Sequence, residues 1–196
     1  DGYKLTAKIY GFDEKTIYLS TAPQYHAAPL LFSLRTLRFG ATVVIMEKFD
    51  AETSLRLIQK YKITHSQWVP TMFIRLLQLP EHTRLKYDLS SLNRLTCGGS
   101  APPVEMMRWY WNSFEIEMIQ GWGMTETNPL GTLSRKVSKR SQIALSEDQQ
   151  FENIAKAGLA MPGLEIEIFD EEWKPLPHDG EAVGELCIRG PWIASE

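Results

Sequence analysis

The residues whose types and spacing could do chemistry lie together at 120–127, Gln-Gly-Trp-Gly-Met-Thr-Glu-Thr. Gly121 and Gly123 allow tight or positive-φ backbone geometry and let another molecule come close. Trp122, between them, offers a flat face for stacking. Thr125 can donate a hydrogen bond to an anion, and the Glu126 carboxylate can hold a hard cation through oxygen. A flat ring, an anion and Mg²⁺ side by side describe a nucleotide. The same residues also describe a strand-to-helix turn around a core tryptophan, and a short glycine motif alone does not choose between the two.

The elements that must position this stretch alternate. Residues 16–20, 41–46, 63–69, 92–97 and 116–119 read as strands, rich in β-branched and aliphatic side chains. Between them, 29–39, 50–61 and 70–79 read as helices, and another starts at Pro102 or Pro103 and runs to 113. Asp50 is the expected N-cap of the second helix, and Pro70 occupies the first helical position of the third, where its missing N–H is no loss. Gly40 and Pro80 are stops, and 81–88 is a polar connector. Strand-helix alternation predicts a mostly parallel sheet with helices on both faces, whose ligands collect outside the carboxyl ends of the strands. A second glycine run, Gly98-Gly99-Ser100, closes the strand before the one that feeds Gln120. Two glycine loops on consecutive strands would face one pocket, which favours the nucleotide.

Beyond residue 130 the texture changes. The basic run 135–140 reads as a solvated loop, with a phosphate contact as the sharper alternative. A helix over 146–156 is expected, capped by Ser146 with Asp148 or Gln149 as partner. Residues 158–163 read as a loop, and 164–170 alternate apolar and acidic in the manner of a half-exposed strand. Pro175, Pro177 and Asp179-Gly180 mark a turn, and 183–189 is a further strand with Gly184 at a bulge. The predicted fold class is therefore α/β: a mostly parallel sheet flanked by helices on both faces, followed by an antiparallel β segment.

Composition narrows the function. A net charge of −3 argues against a nucleic-acid partner, whose binders carry a basic excess. No apolar run approaches the roughly 20 residues of a membrane helix. Cys97 and Cys187 sit in apolar runs and read as two buried small hydrophobes without a disulfide, in a cytoplasmic protein. His65 and His178 read as structural and His82 as solvated, and no pair has metal-ligand spacing. Asp1-Gly2-Tyr3-Lys4 has no signal-peptide pattern, and both ends read as cuts within a longer protein.

Three runs in this order resemble the adenylate-forming (AMP-binding) superfamily of acyl-CoA synthetases. They are Gly98-Gly99-Ser100-Ala101-Pro102, Gly121-Trp122-Gly123-Met124-Thr125-Glu126, and Gly184-Glu185-Leu186-Cys187-Ile188-Arg189-Gly190-Pro191. Gly158 to Gly163 adds that superfamily's Gly-X-X-X-Pro-Gly spacing. The likeness is nearest to medium- and long-chain fatty-acyl-CoA synthetases, and it places the chain inside their N-terminal domain. An α/β AMP-binding subdomain would span 1–131 and a β-rich subdomain 132–196. The superfamily's phosphate loop, Thr-Gly-Asp and C-terminal lysine have no counterpart in these residues.

The resemblance implies an acid–thiol ligase that uses ATP, Mg²⁺ and coenzyme A to turn a fatty acid into its thioester through an acyl-AMP. It assigns Gly98, Gly99, Ser100, Ala101, Pro102, Gln120, Gly121, Trp122, Gly123, Met124 and Thr125 to the nucleotide, with Trp122 stacked on adenine. Thr125 and Glu126 would be the catalytic pair, Glu126 also ligating the metal. His26, Trp68, Val69 and Gly123 would line the acyl pocket, although a turn role for His26 and a core role for Trp68 fit their types equally. The partners are the fatty acid, ATP and coenzyme A. Peripheral membrane contact through a lipid substrate and a homodimer are compatible with that class. An aryl-CoA ligase, a peptide-synthetase adenylation domain and a catalytically silent nucleotide-binding module are the alternatives.

Overall fold

The structure, a computed structural model, describes residues 9–194. Nine strands are named in it: β1 (Ile17–Ser20), β2 (Thr42–Ile45), β3 (His65–Trp68), β4 (Arg94–Cys97), β5 (Glu117–Trp122), β6 (Thr132–Ser134), β7 (Leu159–Ala160), β8 (Glu165–Phe169) and β9 (Glu185–Arg189). The helices are α1 (Ala27–Arg38), α2 (Ala51–Tyr61), α3 (Pro70–Leu77), α4 (Glu81–Arg84), α5 (Val104–Phe114) and α6 (Glu147–Ala155). The first seven strands form one sheet in the order β2-β1-β3-β4-β5-β6-β7. Strands β2, β1, β3, β4 and β5 pair in parallel, and β6 and β7 add antiparallel at one end. Strands β8 and β9 pair antiparallel as a separate two-stranded sheet. The expected mostly parallel sheet with an antiparallel segment is therefore present.

The period-two alternation of the strands divides their side chains between two faces. Leu19, Leu95, Cys97 and Met118 point to one face and meet Leu55 and Ile58 of α2, Phe73 and Leu76 of α3, Met106 and Tyr110 of α5, and Phe151 of α6. At the centre of this layer Trp68 is 1% exposed, its ring 5.2 Å from Phe73 and 6.5 Å from Tyr110. Tyr18, Ile119 and Leu133 point the other way and meet Phe32 of α1 together with Tyr10 and Phe12. Four helices thus cover one face, while on the other the described residues place α1 and a smaller aromatic cluster.

The boundaries have local causes. Asp50 caps α2, its Oδ1 accepting from the Thr53 N–H at 2.8 Å. Ser146 caps α6, with Gln149 returning a bond to the Ser146 N–H at 3.1 Å, so Gln149 and not Asp148 completes the box. Several expectations need correction. The connector after Pro80 contains the short helix α4, because Pro80 starts a turn as readily as it ends one. Residues 132–134, for which the sequence suggests no element, and 159–160, read as loop, form β6 and β7: each is too short to show a period, and pairing of β6 with β5 and of β7 with β6 supplies what the local sequence does not. Strand β5 runs on through Trp122, so the chemistry-bearing stretch begins inside the sheet. Cys97 is buried but Cys187 is half-buried, because β9 is covered on one side only.

In the basic run Arg135 and Lys136 are engaged, while Lys139 and Arg140 are exposed. Arg135 ion-pairs with Glu117 at 2.5 Å, and Glu117 also binds Arg94 at 3.0 Å. Lys136 lies 4.1 Å above the Trp111 ring and 4.8 Å from that of Phe151, and bonds Glu147 at 2.7 Å, clasping α6 to α5.

Hydrogen bonds from Thr53 hold the Asp50 carboxyl below the usual carboxylate range. Its contribution to folding is thus present at neutral pH and lost as the pH falls through about 4 and below. Asp50→Ala should lower the unfolding free energy by about 1 kcal/mol at pH 7 in urea titrations. The difference from the parent chain should shrink as the pH is lowered toward 3, and a gap independent of pH would contradict the capping role.

Candidate active site

The parallel register sets Trp68 beside Cys97 and Cys97 beside Gln120. The next residues, Val69, Gly98 and Gly121, therefore stand in a row just past the carboxyl ends of β3, β4 and β5. Strand order reverses between β1 and β3, the place where open α/β sheets leave a crevice. A cavity of about 350 Å³ opens there. Gln67, Thr96, Gly98 and Gly121 form its floor. The start of α1, from His26 to Phe32, roofs it, and Tyr10 stands at one end. Gly123, Met124 and Thr125 make the rim, with Pro129 and Leu130 beside them.

One glycine is required here by space, and another lies close to a side chain that can turn away. A Cβ on Gly121 would stand 2.8 Å from Leu130 Cδ1. A Cβ on Gly123 would overlap the Pro129 carbonyl oxygen, so the chain folds back on itself at this point and any side chain would prise it open. The turn that follows, Thr125–Thr127, is held by Thr127. This buried hydroxyl accepts from the Met124 N–H at 2.8 Å and donates to the Met124 carbonyl at 3.0 Å.

The residues expected at the site divide into those on the cavity and those off it. His26, Val69, Gly98, Gly99, Gly121, Gly123, Met124 and Thr125 line the cavity. His26 is the residue before α1, exposed at the mouth with its ring 4.6 Å from that of Tyr25. Gln120 and Trp122 have the opposite parity along β5 and lie off this cavity. Gln120 is buried with its Oε1 unbonded among the described residues. Trp122 is half-buried with its ring over Gly131, where a Cβ would come within 2.6 Å of a ring carbon. Ser100 and Ala101 are exposed and Pro102 is buried, all just beyond the cavity wall. Trp68 sits in the helix-covered core, while its neighbour Val69 turns onto the wall.

Glu126 is exposed, one residue beyond Thr125 at the rim. Its backbone carbonyl accepts from the Ala194 N–H at 2.9 Å, tying the segment after β9 to this turn. Among the described residues no cluster of three or more His, Cys, Asp or Glu side chains could hold a metal by itself. A cation at Glu126 would have one carboxylate, the neighbouring Thr125 hydroxyl and whatever the ligand brings. That donor set fits Mg²⁺, which is commonly held by one or two carboxylates plus substrate phosphates.

Burial separates the reactive-looking side chains from the site. It pushes the Cys97 thiol up to about 12, so this sulfur is a protonated core atom. Burial likewise lowers the His65 pKa, keeping the imidazole neutral. Its Nε2 lies 2.9 Å from the Tyr10 carbonyl, which can only accept, so Nε2 carries the proton and Nδ1 accepts from Thr64 Oγ1 at 2.8 Å. His65 therefore anchors the backbone that brings Tyr10 to the cavity. Tyr10, Phe32, Gln67, Thr96, Thr127 and Leu130 are site residues that motif reading missed. For Gln67 and Thr96 a signal existed, since each is a polar residue within a buried strand.

Residues 2–196 match the family model described as AMP-binding enzyme. A long-chain-fatty-acid–CoA ligase of Thermus thermophilus is 32% identical over 181 residues, which cover 92% of this chain and 32% of the ligase. A 3-methylmercaptopropionyl-CoA ligase of Ruegeria lacuscaerulensis is 28% identical over 189 residues, covering 96% of this chain and 34% of that protein. The chain thus spans about a third of the length of these curated relatives. In fold it is similar to the inhibitor-bound N-terminal domain of FACL13 from Mycobacterium tuberculosis, with a TM-score of 0.80 at 21% identity over 97% of this chain and 44% of that one. The three motif runs, the convergence of the first two on the carboxyl edge of a parallel sheet and the match along the chain agree: it belongs to the AMP-binding enzyme family.

Proposed function

We propose that this chain supplies the nucleotide shelf and acyl pocket of an ATP-dependent fatty-acyl-CoA synthetase. The observation that carries this reading is the convergence of two glycine loops from adjacent strands on one largely apolar cavity, with Thr125 at its rim. In the first half-reaction a carboxylate oxygen attacks the α-phosphorus of ATP, forming an acyl–phosphate bond as the bond to pyrophosphate breaks. In the second, the thiolate of coenzyme A attacks the acyl carbon and AMP leaves. We assign 1–131 to an α/β nucleotide-binding part and 132–196 to a β-rich part, which share the main sheet through β6 and β7.

Each residue has a physical task. Ala28, Pro29, Phe32 and Val69 give the acyl chain apolar walls and exclude water. The glycine row lets a ligand approach backbone carbonyls and N–H groups that a Cβ would screen. Trp122 would stack on adenine with the part of its ring that Gly131 leaves open. Thr125 would donate to the α-phosphate and hold it in line with the carboxylate at Gly123. Glu126 would hold Mg²⁺, which when bound neutralises phosphate charge. Coenzyme A and the fatty acid are the remaining partners. Two unpaired cysteines support a cytoplasmic setting, and among the described residues no helix is long and apolar enough to cross a membrane. Another adenylate-forming ligase is the second reading, favoured by a relative that acts on 3-methylmercaptopropionate.

Among the described residues no lysine or arginine lines the cavity. Bringing an anionic carboxylate to an anionic phosphate needs positive charge. The 196-residue chain should therefore bind an acyl-adenylate analogue yet show no ATP–pyrophosphate exchange. Exchange above background would overturn this division of labour. In the full-length enzyme carrying this chain, Glu126→Gln should slow adenylation by at least about a hundredfold and raise the Mg²⁺ concentration needed for half-maximal rate. An unchanged Mg²⁺ dependence would remove the metal role from Glu126.

A further inference from the structure

The cavity floor is more polar than an alkyl chain requires. Gln67 and Thr96 stand directly opposite each other in the β3–β4 register, roughly 4.8 Å apart across the sheet. They are 5% and 4% exposed, and both line the cavity. The Gln67 amide nitrogen donates to the Trp68 carbonyl at 3.2 Å. A carbonyl only accepts, so the nitrogen must face it and the side-chain oxygen is left as an open acceptor. Thr96 Oγ1 has no hydrogen-bond partner among the described residues. The third polar group in the row, Ser20, is already bonded by Gln24 Nε2 at 2.5 Å. One free acceptor and one free hydroxyl therefore remain side by side on the floor, and the buried Tyr10 hydroxyl, also without a partner among the described residues, is a further polar group on the cavity.

A plain alkyl tail packed here would strip both groups of water and return nothing. A ketone could accept from Thr96 but would leave the Gln67 oxygen unmet, and an ammonium would bring a charge without a counter-ion on the wall. A hydroxyl satisfies both, donating to Gln67 Oε1 and accepting from Thr96. Thr96 is paired with Ile119 on β5, and the Gln67 amide nitrogen reaches toward the glycine row, 3.6 Å from where a Cβ on Gly98 would stand.

We propose that Gln67 and Thr96 select a carboxylic acid whose acyl chain carries a hydroxyl group. The assignment rests on the reading of this cavity as the acyl pocket of an acyl-adenylate.

The test is calorimetric binding of two non-hydrolysable acyl-sulfamoyl adenosines to the chain. One carries an alkyl tail and the other the same tail ending in a hydroxyl; AMP is the reference. The hydroxylated ligand should bind about tenfold or more tightly. Thr96→Val, which keeps the shape and removes the hydroxyl, should bring that ratio toward one, and Gln67→Leu should do the same. Equal binding of the two ligands, an alkyl preference, or a ratio unmoved by Thr96→Val would overturn the selection while leaving the acyl-adenylate reading intact. Failure to bind AMP and both adenylates would overturn that reading and the selection with it.

Discussion

The in-register parallel pairing of β3, β4 and β5 is the constraint from which the site follows. Because Trp68, Cys97 and Gln120 are neighbours across the sheet, Val69, Gly98 and Gly121 are neighbours too. Those three residues come from segments far apart in the sequence, and only the ladder brings them into line. A one-residue slip would reverse every side chain on a strand. It would carry Leu95 and Cys97 out of the core and Thr96 into it, so the hydrophobic layer under α2, α3, α5 and α6 enforces the register that the opposite face uses.

The two faces carry different loads. On the helix-covered face Trp68, Phe73 and Tyr110 interlock at ring distances of 5.2 to 6.5 Å, which makes a rigid base. On the other face the start of α1 stands over the strand ends and leaves an opening. The cavity is that uncovered area, and its rigidity is borrowed from the layer behind it. Around the rim the constraint becomes steric: Gly121 lies against Leu130, and Gly123 against the Pro129 carbonyl. Gly123 is needed for the chain's own return path, whatever it also offers a ligand.

Much of this was legible in the sequence, and the reasons differ by element. The alternation of β-branched runs with proline- and aspartate-started helices predicts the parallel sheet, since Asp50 and Pro70 mark boundaries by chemistry that does not depend on tertiary context. The glycine loops are predicted on consecutive strands, and β4 and β5 place them side by side. Strands β6 and β7 escape because two or three residues carry no period and are strands only through their neighbours, β6 through β5 and β7 through β6. The cavity floor escapes for another reason. Motifs draw the eye to glycines, whereas Gln67, Thr96 and Tyr10 belong to no motif and reach the cavity through register and through the His65 bond to the Tyr10 backbone. Side-chain direction has the same dependence. Trp68 and Val69 are adjacent in sequence, yet one faces the core and the other the cavity.

The bond from the Ala194 N–H to the Glu126 carbonyl joins parts of the chain that are distant in sequence. Nearby, Gly190 lies so close to Leu164 that the stretch after β9 is pressed against the start of β8. The turn bearing Thr125 and Glu126 is thus moored at both sides: to β5 through its own backbone, and to the two-stranded sheet through Ala194. Tilting that small sheet would tug on the turn, making it a lever whose short arm ends at the Glu126 carboxylate.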